Sequence, residues 1–192
     1  MIPQDADHLT ELLIAANRGD HDARQKLWHV VYNLLRNLAR VRLRNEHAGH
    51  SLSTTALVHE VYLQLDLVTE KINTTDRNHF FALACKIMRQ VLIEKARKRA
   101  AQKRKGQKVS LDFELPDRSL KTPKEDLLAL DLALQNLEKK DSKLGQVVEC
   151  KFFGGLTTHE TAEVLGVSER TIERYWIRAK TYLYRALHQQ ID

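Results

Sequence analysis

Along most of the chain, apolar residues recur at alternating steps of three and four, the period of a helix with one buried face. Leu9, Leu12, Leu13 and Ala16 predict a first helix over residues 7–17, broken by Gly19-Asp20. Leu27, Val31, Leu34, Leu38 and Val41 predict a longer helix from Asp22, which ends in the polar residues 46–50 with Gly49 as the breaker. Ser53 or Thr54 caps a third, whose apolar face is Leu57, Val58, Val61, Leu65 and Val68. After a polar loop over residues 69–78, a fourth begins near Arg77 with Phe80, Leu83, Ala84, Ile87 and Val91 as its stripe. Four such helices are enough for a small bundle.

The pattern then fails from Gly106 to Pro123. Val109, Leu111, Phe113 and Leu115 alternate with polar residues as in a short strand, but Pro116 and Pro123 favour an extended linker. Helical period returns near Lys124 with Leu127, Leu130, Leu134 and Leu137. Another helix covers about 142–153 and stops at Gly154-Gly155; two more follow, over 158–165 and from Ser168 to about His188. The expected fold class is therefore all-α. It divides into an N-terminal helical bundle over residues 1–102, a tether over 103–123 and a C-terminal helical domain over 124–192.

Composition fits this reading. Only 3 of the 192 residues are Pro and 7 are Gly, against 43% hydrophobic residues, so long coil is confined to where Pro and Gly cluster. Cys85 and Cys150 are isolated in apolar helical surroundings and read as reduced thiols packed as small hydrophobes. The acidic N-terminus lacks the apolar core of a signal peptide, and no run nears the ~18 apolar residues needed to cross a bilayer. These features point to the cytoplasm, without membrane insertion.

The net charge of +6 and pI near 9.3 suggest a polyanionic partner, and the distribution sharpens the point. Between residues 86 and 108 stand Lys86, Arg89, Lys95, Arg97, Lys98, Arg99, Lys103, Arg104, Lys105 and Lys108, opposed only by Glu94. A helix dipole attracts cations over about one turn, whereas this run covers several. A surface that meets phosphates accounts for it better.

The strongest local signal is the joint Leu165-Gly166-Val167-Ser168. A helix-turn-helix needs a small residue where its helices cross, a residue tolerant of positive φ at the turn, and an N-cap and branched anchor on the second helix. Ala162, Gly166, Ser168 and Ile172 stand at those offsets, with Leu165, Val167 and Trp176 completing a small core. Thr157 or Thr158 caps the first helix, with Glu160 and Glu163 near its outer face. On the second helix Glu169, Arg170, Glu173, Arg174, Arg178 and Lys180 lie away from Ile172, Trp176, Ala179 and Leu183, and Ser168 and Thr171 at its start join the candidate DNA-binding residues. Arg170 and Arg174 are placed for base edges, Arg178 and Lys180 for phosphates.

These residues resemble the extracytoplasmic-function (ECF) class of sigma factors, over nearly the whole chain. Leu57-Val58-His59-Glu60-Val61-Tyr62-Leu63-Gln64-Leu65 is similar to the family's second conserved region, whose helix docks on the clamp of the large polymerase subunit. Residues 79–98 are similar to the helix that melts and reads the −10 element. Residues 147–156, leading into the helix-turn-helix, are similar to the fourth region, which reads the −35 element. Thr55-Ala56-Leu57-Val58-His59-Glu60 and Val109-Ser110-Leu111-Asp112 are similar to an ECF-like subgroup. Ala56 and His59 depart from the acid and the glutamine usual in the docking helix, while Glu60 matches.

The resemblance implies a factor that binds core RNA polymerase, at its clamp and flap, directs it to promoters and assists their opening. It implies polymerase contacts at Leu57, His59, Glu60, Leu63 and Gln64. It implies −10 contacts at Asn73, Arg77, Asn78, Lys86, Arg89, Lys95, Arg97 and Lys98. An anti-sigma factor would be a further partner of the class. Phe80 lies on the core stripe; Phe81 is open between core and base stacking.

Two rival classes fare worse. Nine His residues invite a metal reading, yet His59 and Glu60 are adjacent and diverge by about 100° on a helix, and neither HExxH nor a paired-carboxylate motif occurs. No catalytic residue, metal or cofactor is expected. A stand-alone helix-turn-helix regulator usually dimerises on a palindrome, but the N-terminal half carries a basic helix rather than a ligand pocket or dimer seam.

Overall fold

A computed structural model describes residues 6–42, 54–69, 76–103 and 127–188. Asn73 and residues 104–123 of the expected linker lie outside these residues, while Lys103 ends a helix. Eight α-helices and one π turn account for the described elements, in keeping with the all-α expectation. They are α1 (Ala6–Asn17), α2 (His21–Arg42), α3 (Thr54–Thr69), α4 (Arg77–Lys103), α5 (Leu127–Lys140), α6 (Ser142–Val148), the π turn (Glu149–Phe153), α7 (Thr158–Leu165) and α8 (Glu169–His188).

Helices α1 to α4 pack in sequence around Leu12, Leu27, Val31, Leu57, Val61, Leu65, Phe80 and Val91, all buried. Phe81 is buried too, and its ring meets that of Phe80 edge to face at 6.1 Å. Its open choice between core and stacking thus resolves to core. Asp20 and Asp76 each accept a first-turn backbone N–H, from Ala23 at 3.0 Å and Asn78 at 2.9 Å, and so open α2 and α4. Asp76 belonged to the expected polar loop; here its carboxylate is turned to its own helix.

The helix predicted over 142–153 is α-helical only to Val148. It then widens: Gly154 donates to the carbonyl of Glu149, five residues back, at 2.8 Å. Gly154 lies against α4. A Cβ there would stand 2.3 Å from Cys85 Sγ, so only glycine leaves room for the Cys85 side chain. Cys85 and Cys150 are both buried thiols outside any disulfide, packed as small hydrophobes should be. One hydrophobic cluster accordingly runs without a break from Leu9 through Cys85 and Phe153 to Leu187.

Candidate nucleic-acid interface

The helix-turn-helix is built from α7 and α8 on a floor supplied by α6. Gly166 closes α7 in the left-handed region at φ 63°, ψ 36°, as the turn requires. Val147, Ala162 and Ile172 form a separate small core under the turn, Ile172 being fully buried. Val147, on the preceding helix, is a member the sequence spacing did not reveal. Thr157 is the cap of α7, and Glu160 completes a capping box by bonding back to the Thr157 N–H at 2.8 Å. Glu160 is therefore buried at the helix entry, not on the outer face expected for it; Glu163 is exposed.

Ser168 caps α8, its Oγ accepting from the Thr171 N–H at 3.3 Å. Glu169, Arg170, Glu173, Arg174 and Arg178 are all exposed along one side of α8, with Ile172, Ala179 and Leu183 buried on the other. Lys180 is half-buried rather than exposed. Its ammonium and that of Lys151 each lie 5.7 Å from the ring of half-buried Trp176. Lys151 also donates to Thr158 Oγ1 at 2.9 Å, and burial lowers its affinity for a proton. Arg178 reaches Asp141 at 3.5 Å.

His159 on α7 meets the first turn of α8 through Nδ1, 2.9 Å from Glu169 Oε1, and Glu163 lies 3.9 Å away. The bond to Glu169 and the nearby charges raise its pKa above the usual histidine value. A raised histidine pKa adds stability that is complete below the unfolded value and is lost as pH rises through the folded one. In an NMR titration the His159 ring should therefore change protonation above pH ~6.5, and Glu169→Gln should bring the midpoint back down. An unshifted midpoint in the unmodified chain would contradict this contact in solution.

The basic run on α4 is less free than its sequence suggests. Lys95 bridges to Glu60 of α3 at 2.6 Å, and Lys98 to Glu94 one turn back at 2.7 Å. Lys86 is exposed, and Arg77 and Asn78 are partly so at the start of the helix. Arg97 and Lys98 keep 62% and 65% of their side-chain surface in solvent.

Arg89 departs most from expectation. Expected among the phosphate contacts, it is turned inward and buried. From Nε and Nη2 it donates to Asp131 Oδ1 at 3.0 and 2.8 Å, and from Nη1 to Glu149 Oε1 at 3.0 Å and to Glu138. Arg97 and Gln135 reach the other Asp131 oxygen at 3.3 and 2.8 Å. The two sides of this cluster fare unequally. Arg89 gains three anions, whereas buried Glu149 shares one guanidinium and faces Glu138, of its own sign; burial above all raises its pKa. The cluster itself lines a groove of about 480 Å³, completed by Lys86, Gln90 and Glu94 of α4 and by Gln135 of α5.

On α3, Leu57 is fully buried and offers no side chain to a partner. The outward surface is Ala56, His59 and Leu63, flanked by half-buried Glu60, Tyr62 and Gln64. Leu63 is 47% exposed, and the Tyr62 ring stands against Trp28 of α2, with centroids 4.7 Å apart. An exposed leucine beside aromatic rings makes this the apolar part of the helix surface.

Among the described residues no helix is long and apolar enough to cross a membrane. A family model described as ECF sigma factor matches residues 6–189. Neither the curated proteins nor the solved structures contain a match.

Proposed function

Because the chain belongs to the ECF sigma factor family, which covers residues 6–189, we propose that it binds core RNA polymerase through α3 and reads promoter DNA through α4 and α8. Members of the family are DNA-binding factors of transcription initiation rather than enzymes. The division of labour within this chain is our own reading. In it, residues 1–102 engage the clamp and the −10 element, 103–123 form the tether, and 124–192 read the −35 element.

One observation carries it: Arg170, Glu173 and Arg174 project together from the N-terminal half of α8, the part of a recognition helix that enters the major groove. Ser168, Glu169 and Thr171 stand at the same end, and Arg178 a turn or more further along meets the backbone. For the −10 element the reading uses Asn73, Arg77 and Asn78 at the start of α4 and Lys86, Lys95, Arg97 and Lys98 along it. Polymerase meets His59, Glu60, Leu63 and Gln64. The protein then works in the cytoplasm, where its polymerase is, and an anti-sigma factor would compete for these same surfaces.

Run-off transcription from genomic fragments, with core polymerase and with or without this protein, tests the reading. Promoter-specific transcripts should depend on the added protein. Leu63→Glu places a charge on the apolar docking surface and should cut co-purification with core at least tenfold, about 1.4 kcal/mol, with the helical circular dichroism unchanged. Undiminished co-purification would move the docking surface elsewhere.

A further inference from the structure

We propose that Asp131, Glu138 and Glu149 form an internal stand-in for the DNA backbone, holding Arg89 and Arg97 of α4 so that docking of the C-terminal helices and engagement of DNA by α4 exclude one another. The inference rests on the reading of α4 as a helix that contacts DNA, and it adds a closed state to that reading.

The chemistry is that of phosphate recognition. A guanidinium offers donors in a planar fork that fits paired oxygens, whether of a carboxylate or a phosphate. Arg89 spends its fork on three carboxylates contributed by α5 and the π turn. Arg97 leans on the far oxygen of the first of them. Neither arginine can hold these bonds and meet a DNA strand with the same donors.

The charge count also favours a contact made to open. Two arginines face three acids, and at least one acid is disfavoured by burial beside another. A buried ion cluster is a poor route to stability, since apolar residues of equal volume often do better. It has another merit: when the ion pairs are pulled apart in water, each charged group regains its hydration, which offsets part of the cost of parting the apolar seam around Cys85 and Phe153. The groove is lined by the cluster itself, with Lys86 on its wall and half-exposed Arg97 at its rim, so the ion pairs are open to water on one side.

The full-length chain carries its own reporter, because Cys85 is sealed beneath Gly154 in the closed state. The double change Asp131→Asn and Glu138→Gln keeps side-chain size and removes the charge. Cys85 should then react with a thiol reagent at least tenfold faster. Affinity for a fluorescent forked DNA of random sequence should rise by roughly tenfold, a gain set by the reciprocal of the fraction open in the parent. The salt dependence should steepen by about two, one unit per phosphate gained. A control with the same charge change at exposed sites, Glu11→Gln with Asp22→Asn, should show neither effect.

Equal affinity gains in both double variants would reduce the result to net charge and overturn the proposal, as would an unchanged Cys85 rate. Should the first variant lose its helical signal, Arg89→Lys serves instead: a single ammonium cannot span three carboxylates, and Cys85 should again become reactive. Transcription separates the two readings. A chain that initiates although Cys85 is already exposed keeps the function and loses the closed state. A chain that opens as described yet never initiates does the reverse.

Discussion

Arg89→Ala is expected to cost about 3–5 kcal/mol, the penalty for leaving buried charges without their partner. The arginine is buried against Asp131, Glu138 and Glu149, and its removal leaves three carboxylates facing one another across the junction of α4, α5 and the π turn. In a urea titration followed by circular dichroism, the midpoint should fall by about 1 M or more, or the transition should split into two. Acid should restore part of the loss. Glu149 already holds its proton more tightly than a free glutamate, and without Arg89 the influences that raise its pKa prevail further. A carboxyl with a raised folded pKa favours the folded state at low pH, and that advantage is lost as pH rises through the folded value. The deficit of Arg89→Ala should therefore be smaller near pH 5 than at pH 7. A midpoint unchanged at neutral pH would mean that the cluster does not form in solution.

Arg170→Ala with Arg174→Ala should abolish most sequence discrimination by α8, at about 1–3 kcal/mol for each base no longer read. Both side chains are exposed, and Arg174 lies over the Tyr175 ring at 5.6 Å, which fixes its direction off the helix. Neither belongs to the core of Ile172, Ala179 and Leu183, so the helical signal should not change. The measurement is fluorescence anisotropy on a duplex bearing the selected promoter and on the same duplex with its −35 element scrambled. Affinity for the first should drop towards that for the second, with little loss on the scrambled duplex. Equal loss on both would make these arginines phosphate-binding groups instead.

The local features of the fold were legible because their determinants lie close together in the chain. Ala162, Gly166, Ser168 and Ile172 sit within a dozen residues, and each answers a steric demand of one turn. The helices of the N-terminal half were visible for the same reason, through a period that repeats every few positions. The Arg89 cluster was not. Its partners lie 42, 49 and 60 positions away, and the charge run around Arg89 resembles any solvated helix end. A trace was present, however: Asp131 stands on the apolar stripe between Leu130 and Leu134, and Glu149 between Val148 and Cys150. Acids in such places must find a cation once buried. Glu160 was misplaced for a related reason, since a capping glutamate folds back on the backbone and period alone cannot show it.

The π turn at Glu149–Phe153 bears on how this chain tolerates length change. A π turn is a helix carrying one residue more than an α-helix needs for the same span. Deleting one residue there would let the backbone relax to α geometry without a break, and a tally of helix content would register almost nothing. Because the extra residue is taken up within the turn, the helix before the deletion and the chain after it would keep nearly the same span and phase. The contacts that flank the turn, of Glu149 with Arg89 and of Gly154 with Cys85, and the reading face of α8 would then keep their relative aim. The turn is thus the place where this chain can lose one residue locally, whereas the same deletion in the regular part of α8 would turn the residues beyond it by about 100°.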